Sequence, residues 1–188
     1  MTLKPTLTKD AWIAAGFRAL TKQGAQALRA EPLARQLGTT KGSFYWHFAD
    51  LAGFKAEMLK FWEHKVATEV IALIDEDETA DAQDRLRLLA SAASDPAPDD
   101  YGGRSVEHAV RAWGLSDPNV AAAIATVDKT RLDYLTGLLA EIGHADPALA
   151  QAVYAAHIGL DDLAAKHNSD KAPAFAALIA LIVQISGK

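Results

Sequence analysis

Apolar residues recur at intervals of three and four along almost the whole of this 188-residue chain. This spacing is the period of an amphipathic helix, and alanine, a strong helix former, is abundant. No segment has the pattern of a strand, and helix start and stop signals divide the sequence at regular intervals. The sequence therefore predicts an all-α protein of about nine helices.

Capping residues set the bounds of these helices. Thr40 and Asp50 suit N-cap positions, Gly38 suits a helix end, and Asp117-Pro118 and Asp146-Pro147 each place proline directly after a capping aspartate. The predicted helices span residues 9–23, 31–38 (with a start at Glu31 or Pro32), 41–47, 51–74, 79–93, 105–115, 118–142, 147–166 and 173–186. Three short helices in residues 1–50 followed by a long connecting helix, 51–74, predict a helix-turn-helix domain. Residues 75–188 are expected to form a second helical domain.

The charge of the chain is divided unevenly between its two parts. The net charge of −5 and the pI of about 5.6 argue, taken alone, against nucleic-acid binding. However, residues 1–62 hold nine Lys and Arg against four Asp and Glu, a net charge of +5, and residues 63–188 have a net charge of −10. This asymmetry predicts a basic domain that meets phosphates and an acidic domain with another role.

Several protein classes receive no support from the sequence. There is no cysteine, which excludes disulfides and thiolate chemistry. The first residues lack the apolar run of a signal peptide, and the most apolar segment, residues 174–185, is shorter than the roughly 20 residues that span a bilayer. We therefore expect a cytoplasmic protein with no membrane partner.

Residues 39–48, Thr-Thr-Lys-Gly-Ser-Phe-Tyr-Trp-His-Phe, carry the strongest functional signal. On a helix of about 100° per residue, an inward Phe44 places Gly42 and Trp46 on the opposite side. Such an outward face has no role in a core, whereas small donors, aromatics and a glycine suit a helix lying against DNA.

The chemistry of each side chain suggests its role on DNA. Thr40, Tyr45 and His47 can bond to phosphate oxygens, and Lys41 can reach a phosphate or a guanine edge. Gly42 permits close backbone approach, and Trp46 offers an apolar surface for a thymine methyl group. The alternative is that Tyr45, Trp46 and His47 only pack the three-helix domain.

The N-terminal third resembles a known family. The resemblance is carried by Trp12, Ala15, Leu20, Gly24, Leu33-Ala34, Gly38 and the run Lys41-Gly42-Ser43-Phe44-Tyr45-Trp46-His47-Phe48. On these residues the segment from Thr8 to Phe61 resembles the DNA-binding domain of the tetracycline-repressor (TetR) family, whose recognition segment is of the type Lys-Gly-Thr-Leu-Tyr-His-His-Phe. The rest of the chain is similar to the family in size and helix count.

The resemblance implies that the recognition segment contacts the major groove of double-stranded DNA. Two departures concern phosphate contacts: Arg29 stands where the family usually has a capping threonine, and Leu51 where it usually has a lysine. Arg29 can still reach a phosphate, and Lys55, one turn on, can partly replace the lysine. The predicted DNA-contacting residues are Arg29, Thr39, Thr40, Lys41, Gly42, Ser43, Tyr45, Trp46, His47 and Lys55.

Specific binding requires a dimer that places two recognition helices about 34 to 36 Å apart or a multiple of this distance. The last two helices carry broad apolar stripes among many alanines, which permit close helix approach. The predicted homodimer interface comprises Leu149, Val153, Leu160, Leu163, Phe175, Leu178, Ile179 and Ile182. The alternative is that these residues form the core of the domain itself.

The resemblance also implies a small-molecule effector bound among the middle helices of a ligand-binding and dimerisation domain, residues 75–188. The aromatic and polar candidates for this cavity are Tyr101, His108, Arg111, Trp113 and Tyr134. Alternatively, each of them is an ordinary half-buried helix residue.

The sequence thus predicts a ligand-responsive transcriptional regulator, a repressor that binds a palindromic operator as a homodimer and is released by its effector. One alternative is a DNA-binding dimer controlled by a protein partner. Another is a metal-dependent hydrolase that uses His157, Asp161, Asp162 and His167. One helix face supplies too few ligands for that site, and no phosphate loop or Gly-x-Ser-x-Gly motif occurs. We therefore expect that the protein is not an enzyme and that it uses no cofactor.

Overall fold

The computed structural model describes residues 7–94, 101–167 and 169–186, and all regular secondary structure among them is helical. A π-helical segment, His64–Thr68, joins helix α4 (Leu51–Glu63) to helix α5 (Glu69–Asp75), and 3-10 turns occur at Ala25–Ala27 and Gly103–Ser105. Counting α4 to α5 as one helix, the described residues form nine, as predicted. The helices are α1 Lys9–Gln23, α2 Ala30–Gln36, α3 Lys41–His47, α4 Leu51–Glu63, α5 Glu69–Asp75, α6 Ala82–Ser94, α7 Val106–Gly114, α8 Pro118–Glu141, α9 Pro147–His167 and α10 Ala172–Ser186.

The predicted start of the fifth helix is three residues early. The backbone N–H and the hydroxyl of Thr79 both donate to Asp77 Oδ1, which forms a turn before the helix. Asp81 then accepts a hydrogen bond from the backbone N–H of Asp84 at 2.9 Å. Asp81 is therefore the capping residue, and α6 begins after it.

Contacts between residues divide the chain into two compact units. Among the described residues, the first comprises 7–62 and 101–120, and the second comprises 63–94, 121–167 and 169–186. Residues 101–120, which the sequence placed in the second domain, lie in the first unit because α7 packs against α1. The functional roles given to residues 1–50 and 75–188 stay predictions.

The core of the first unit contains a cluster of aromatic side chains. Trp12, Phe44, Phe54 and Trp62 are each at most 2% exposed. The edge of one ring meets the face of the next where Phe44 contacts Trp12 at 5.4 Å and Phe54 at 5.3 Å between ring centroids. Gly16 lets α1 lie close to α4, since a Cβ there would come within 2.7 Å of the Phe54 ring. These contacts fix α3 against α1 and α4.

The core of the second unit is mostly aliphatic and is built from α6, α8, α9 and α10. It corrects the predicted dimer interface for Val153, Phe175, Ile179 and Ile182, which are only 2 to 5% exposed. Because α10 packs against α6 and α9, these four side chains lie in the core of the second unit. Of the other predicted interface residues, Leu149, Leu160 and Leu178 are partly buried and Leu163 is 51% exposed.

Among the helices in the described part of the chain, none combines the length and the apolar character that crossing a membrane requires.

Candidate nucleic-acid interface

The recognition segment forms a helix with defined ends. Thr40 has extended backbone angles, and its hydroxyl oxygen accepts a hydrogen bond from the backbone N–H of Ser43 at 3.3 Å. Phe48 returns to extended backbone and ends α3. The predicted bounds of this helix, residues 41–47, are therefore confirmed, and the cap supplies their physical cause.

The two sides of α3 differ sharply in exposure. Phe44 is completely buried and Phe48 is 4% exposed, whereas Trp46 is 89% exposed and Tyr45 is 51% exposed. A large aromatic side chain that is not buried by its own chain is typical of a surface that another molecule covers. The interpretation in which Trp46 packs the three-helix domain is inconsistent with this exposure.

The other residues of the segment are exposed or half-buried. Thr40, Lys41 and Gly42 are exposed, and Thr39 and Ser43 are half-buried. At Gly42 an added Cβ would only reach ordinary contact distance, 3.6 Å, from Thr40 Oγ1. The fold of the free chain therefore does not require glycine at this position, so its small size favours contact with an external surface.

The position of His47 is compatible both with a phosphate contact and with packing of the three-helix domain. It is half-buried at the last position of α3. The centroid of its ring lies 6.5 Å from that of Trp12 and 6.3 Å from that of Phe48. It packs at the edge of the aromatic core and retains partial access to solvent.

Arg29 stands at one departure from the family pattern, and Lys55 lies one turn after the other departure, Leu51. Arg29 is the exposed N-cap residue of α2, and its side chain makes no capping hydrogen bond. Lys55 is half-buried, and its Nζ lies 5.5 Å from the centroid of the Trp113 ring. The structure therefore leaves Arg29 at the surface but directs Lys55 toward α7.

Two basic residues near α3 were not predicted. Arg35, at the end of α2, has a side chain that is 79% exposed and lies 3.5 Å from the Glu31 carboxylate. Lys9 donates to Glu57 at 2.8 Å, a hydrogen bond that lowers the pKa of Glu57 below its usual value. The net charge of the first 62 residues included both, but no local motif distinguishes them.

Four of the five predicted effector residues lie in the first unit. The ring of Tyr101 stacks on Phe61 with 4.7 Å between centroids and an angle of 16°. Arg111 Nε donates to Glu107 Oε1 at 2.9 Å, Trp113 is 4% exposed, and His108 is half-buried. These contacts resemble those of ordinary packed helix residues.

Tyr134 lies in the second unit, so the structure does not gather all five residues within one unit. Its hydroxyl donates to Asp75 Oδ1 at 2.7 Å. Burial and this hydrogen bond both raise the pKa of Tyr134 above its ordinary value. A groove of about 680 Å³ on the same unit is lined by other residues: Ala125, Asp128, Lys129, Leu132, Asp133, Thr136, Pro147 and Gln151.

Residues of the alternative metal site contact one another and two lysines. His157 Nε2 lies 3.3 Å from Asp161 Oδ2, and the other carboxylate oxygen of Asp161 pairs with Lys171. Asp162 pairs with Lys166 at 2.6 Å. Over residues 7–94, 101–167 and 169–186, no group of three or more His, Cys, Asp or Glu side chains is placed to hold a metal ion. The hydrolase hypothesis therefore has no geometric support.

Residues 13–57 match the family model described as bacterial regulatory proteins, tetR family. The match covers α2 and α3 and includes the exposed recognition segment. This segment is therefore similar to the DNA-binding part of the TetR family. Its members and the structural neighbours of this protein are transcriptional regulators rather than enzymes. None of the curated proteins compared with the chain matches its sequence.

Solved structures share the fold of this protein over nearly its whole length. A TetR-family transcriptional regulator from Streptomyces coelicolor has a TM-score of 0.77 at 16% identity, with 96% of each chain covered. A regulator from Saccharomonospora viridis, solved with choline, has a TM-score of 0.75 at 17% identity, covering 94% of this chain and 95% of its own. FadR from Bacillus subtilis, solved with stearoyl-CoA, has a TM-score of 0.72 at 19% identity, covering 94% and 98%. At these identities the likeness establishes the fold alone.

Proposed function

We propose that this protein is a ligand-responsive repressor that binds a palindromic operator as a homodimer and releases it when a small molecule binds. The exposure of Trp46, 89% on the side of α3 opposite the buried Phe44, carries the proposal. The indole and the neighbouring Lys41 and Gly42 would enter the major groove, where base edges and thymine methyl groups are accessible. Tyr45, Ser43 and the exposed Arg29 would bond to the flanking phosphates.

The charge distribution supports this assignment. The net charge of +5 in residues 1–62 opposes the phosphate backbone, while the net charge of −10 in the remainder disfavours unspecific contact of that part with DNA. Association would therefore depend strongly on salt, as it does for proteins that displace counterions from DNA.

A homodimer is supported by apolar surface on α9 and α10 that the chain does not cover. Leu178, Leu181 and Ile185 form one stripe along α10; Leu181 is 54% exposed and Ile185 is 56% exposed. On α9, Leu163 is 51% exposed, and the small Ala156 and Gly159 on the same helix permit close approach of a partner helix. We therefore propose an interface built on these stripes, with Leu149 and Leu160 at its margin.

Release by a small molecule is supported by the ligands of two structural neighbours. One was solved with choline and another with stearoyl-CoA, two very different molecules on the same fold. In this chain, α7 and the turn before it hold four candidate contacts: Tyr101, His108, Arg111 and Trp113. An effector that lowers DNA affinity must itself bind more weakly in the presence of DNA, by the same factor.

The proposal is tested by fluorescence anisotropy with labelled duplexes from the intergenic DNA beside the gene. We expect saturable binding to one duplex, lost on a scrambled duplex of equal length and composition, and release by at least one compound in a panel of amines, acids and acyl-CoA esters. A regulator controlled by a protein would bind the same duplex, and no compound would release it. Only a partner protein would change its DNA binding. Absence of preference for any intergenic duplex would refute the repressor proposal.

A further inference from the structure

Lys55 makes a contact that a role at the DNA surface does not explain. Its Nζ lies 5.5 Å from the centroid of the Trp113 ring, within the range of a cation–π interaction. Trp113 is 4% exposed, and no carboxylate in the described part of the chain pairs with Lys55. We propose that Lys55 is a positioning residue: by binding Trp113 it holds α4, and with it the recognition helix α3, in the DNA-binding arrangement. The effect on DNA rests on the proposed function.

The aromatic contacts of α4 explain how this effect would reach α3. Phe54, the residue before Lys55, packs against Phe44 at 5.3 Å and Phe48 at 4.9 Å between ring centroids. Successive residues of a helix point about 100° apart, so Phe54 and Lys55 hold two different sides of α4. One side is fixed to the recognition segment and the other to Trp113.

The alternative role for Lys55 is a direct phosphate contact, and the two roles make opposite predictions. An ammonium that stays over a buried indole neutralises no phosphate and releases no counterion when DNA binds. A phosphate contact would be made twice in a dimer and would contribute about 1.8 to the slope of log affinity against log salt. The salt dependence of binding therefore separates positioning from charge contact.

The contact itself is tested without DNA, by urea unfolding of Lys55→Met, Trp113→Phe and the double variant. Methionine keeps the apolar stem but loses the charge, and we expect the equilibrium constant for unfolding to rise about threefold to tenfold. Trp113→Phe should matter less in the Lys55→Met background than in the native one, because the cation is already gone. Lys60→Met, which removes an exposed charge from the same helix, is the matched control and should have little effect. Strictly additive effects would overturn the contact.

The positioning role is tested by anisotropy with the same labelled intergenic duplex over a range of salt concentrations. Lys55→Met should weaken binding about threefold to tenfold with an unchanged salt slope, and Lys55→Arg should restore affinity because arginine also binds aromatic faces. A slope reduced by about 1.8, or no recovery with arginine, would overturn the proposal. If no duplex binds even the native protein, the repressor proposal fails, while the unfolding cycle still decides whether Lys55 and Trp113 interact.

Discussion

At the scale of single residues, two aromatic side chains two positions apart define the candidate interface. Phe44 is fully buried and Trp46 is 89% exposed, as the helical period of the sequence predicted. Lys55 shows the limit of that approach. Its one-turn offset from the family's lysine position suggested a phosphate contact, but the ring that attracts it lies 58 residues away in the sequence, in α7. The local spacing of residues gives no information about a partner so distant in the chain.

Replacing Trp46 by alanine should reduce specificity more than general affinity. The indole is proposed to meet base edges or a thymine methyl group, whereas unspecific binding depends on phosphates. We expect Trp46→Ala to weaken operator binding by about 1 to 3 kcal/mol and binding to a scrambled duplex much less. Leu115→Ala removes a side chain that is 91% exposed on another segment, and it should change the affinity for neither duplex. Equal losses on both duplexes would argue against base readout.

Lys41→Ala should flatten the salt dependence of binding. A phosphate contact made by both protomers contributes about 1.8 to the slope of log affinity against log salt, and alanine removes it. Anisotropy titrations between low and physiological salt give the slope directly. Lys129→Ala, which deletes a charge from the second unit, should leave it unchanged. An unaltered slope in Lys41→Ala would remove this residue from the charge contacts.

Tyr134 should make stability fall at alkaline pH. Its folded pKa is raised above 10 by burial and by the hydrogen bond to Asp75, so the folded state holds its proton more tightly than the unfolded state does. The resulting stability is complete below about pH 10 and is lost as pH rises toward the folded pKa. Urea unfolding at pH 8 and at pH 11 gives the free energy of unfolding that is lost between these two pH values. This loss should be smaller for Tyr134→Phe than for the native protein. An identical loss would show that other groups cause it.

At the scale of helices, the sequence predicted the elements well wherever capping chemistry is local. Thr40 caps α3 through a bond to a residue three positions away, which the sequence displays directly. The π-helical segment His64–Thr68 was not predicted, and no proline or glycine marks it. The carbonyl of Val66 in this segment accepts a hydrogen bond from Arg131 Nε at 3.2 Å. Such a bond joins residues far apart in the chain and leaves no trace in a local pattern.

The cap of α3 should contribute to both stability and DNA binding. Thr40→Ala removes the bond to the Ser43 N–H and should cost about 1 kcal/mol of unfolding free energy in urea. It should also weaken operator binding, because the first turn of α3 carries Lys41 and Gly42. Thr8→Ala is the matched control: it removes an equivalent cap from α1, with a bond of 3.2 Å to Ala11 N. If both variants bound DNA equally well, the cap would have no role at the interface.

At the scale of the whole molecule, the sequence identified the apolar helices but not the face that each one buries. Both sides of α10 are apolar: Phe175, Ile179 and Ile182 face the core, and Leu181 and Ile185 are exposed. With apolar residues around most of the helix, periodicity cannot separate core from interface. The packing of α6 against α10 determines which side of α10 is buried. The same limit explains why four core residues were predicted to be interface residues.

The exposed stripe of α10 gives the most direct test of assembly. Leu181 is 54% exposed in the single chain, so Leu181→Glu should leave the fold intact and place an uncompensated charge in the proposed interface. We expect the sedimentation mass to fall from dimer to monomer at micromolar concentration, with an unchanged circular dichroism spectrum. Leu73→Glu, at a leucine 59% exposed on α5, is the control that should stay dimeric. Operator affinity should fall together with dimer mass, because one recognition helix alone reads only half of a palindrome. A Leu181→Glu protein that remains dimeric and keeps its operator affinity would place the interface elsewhere.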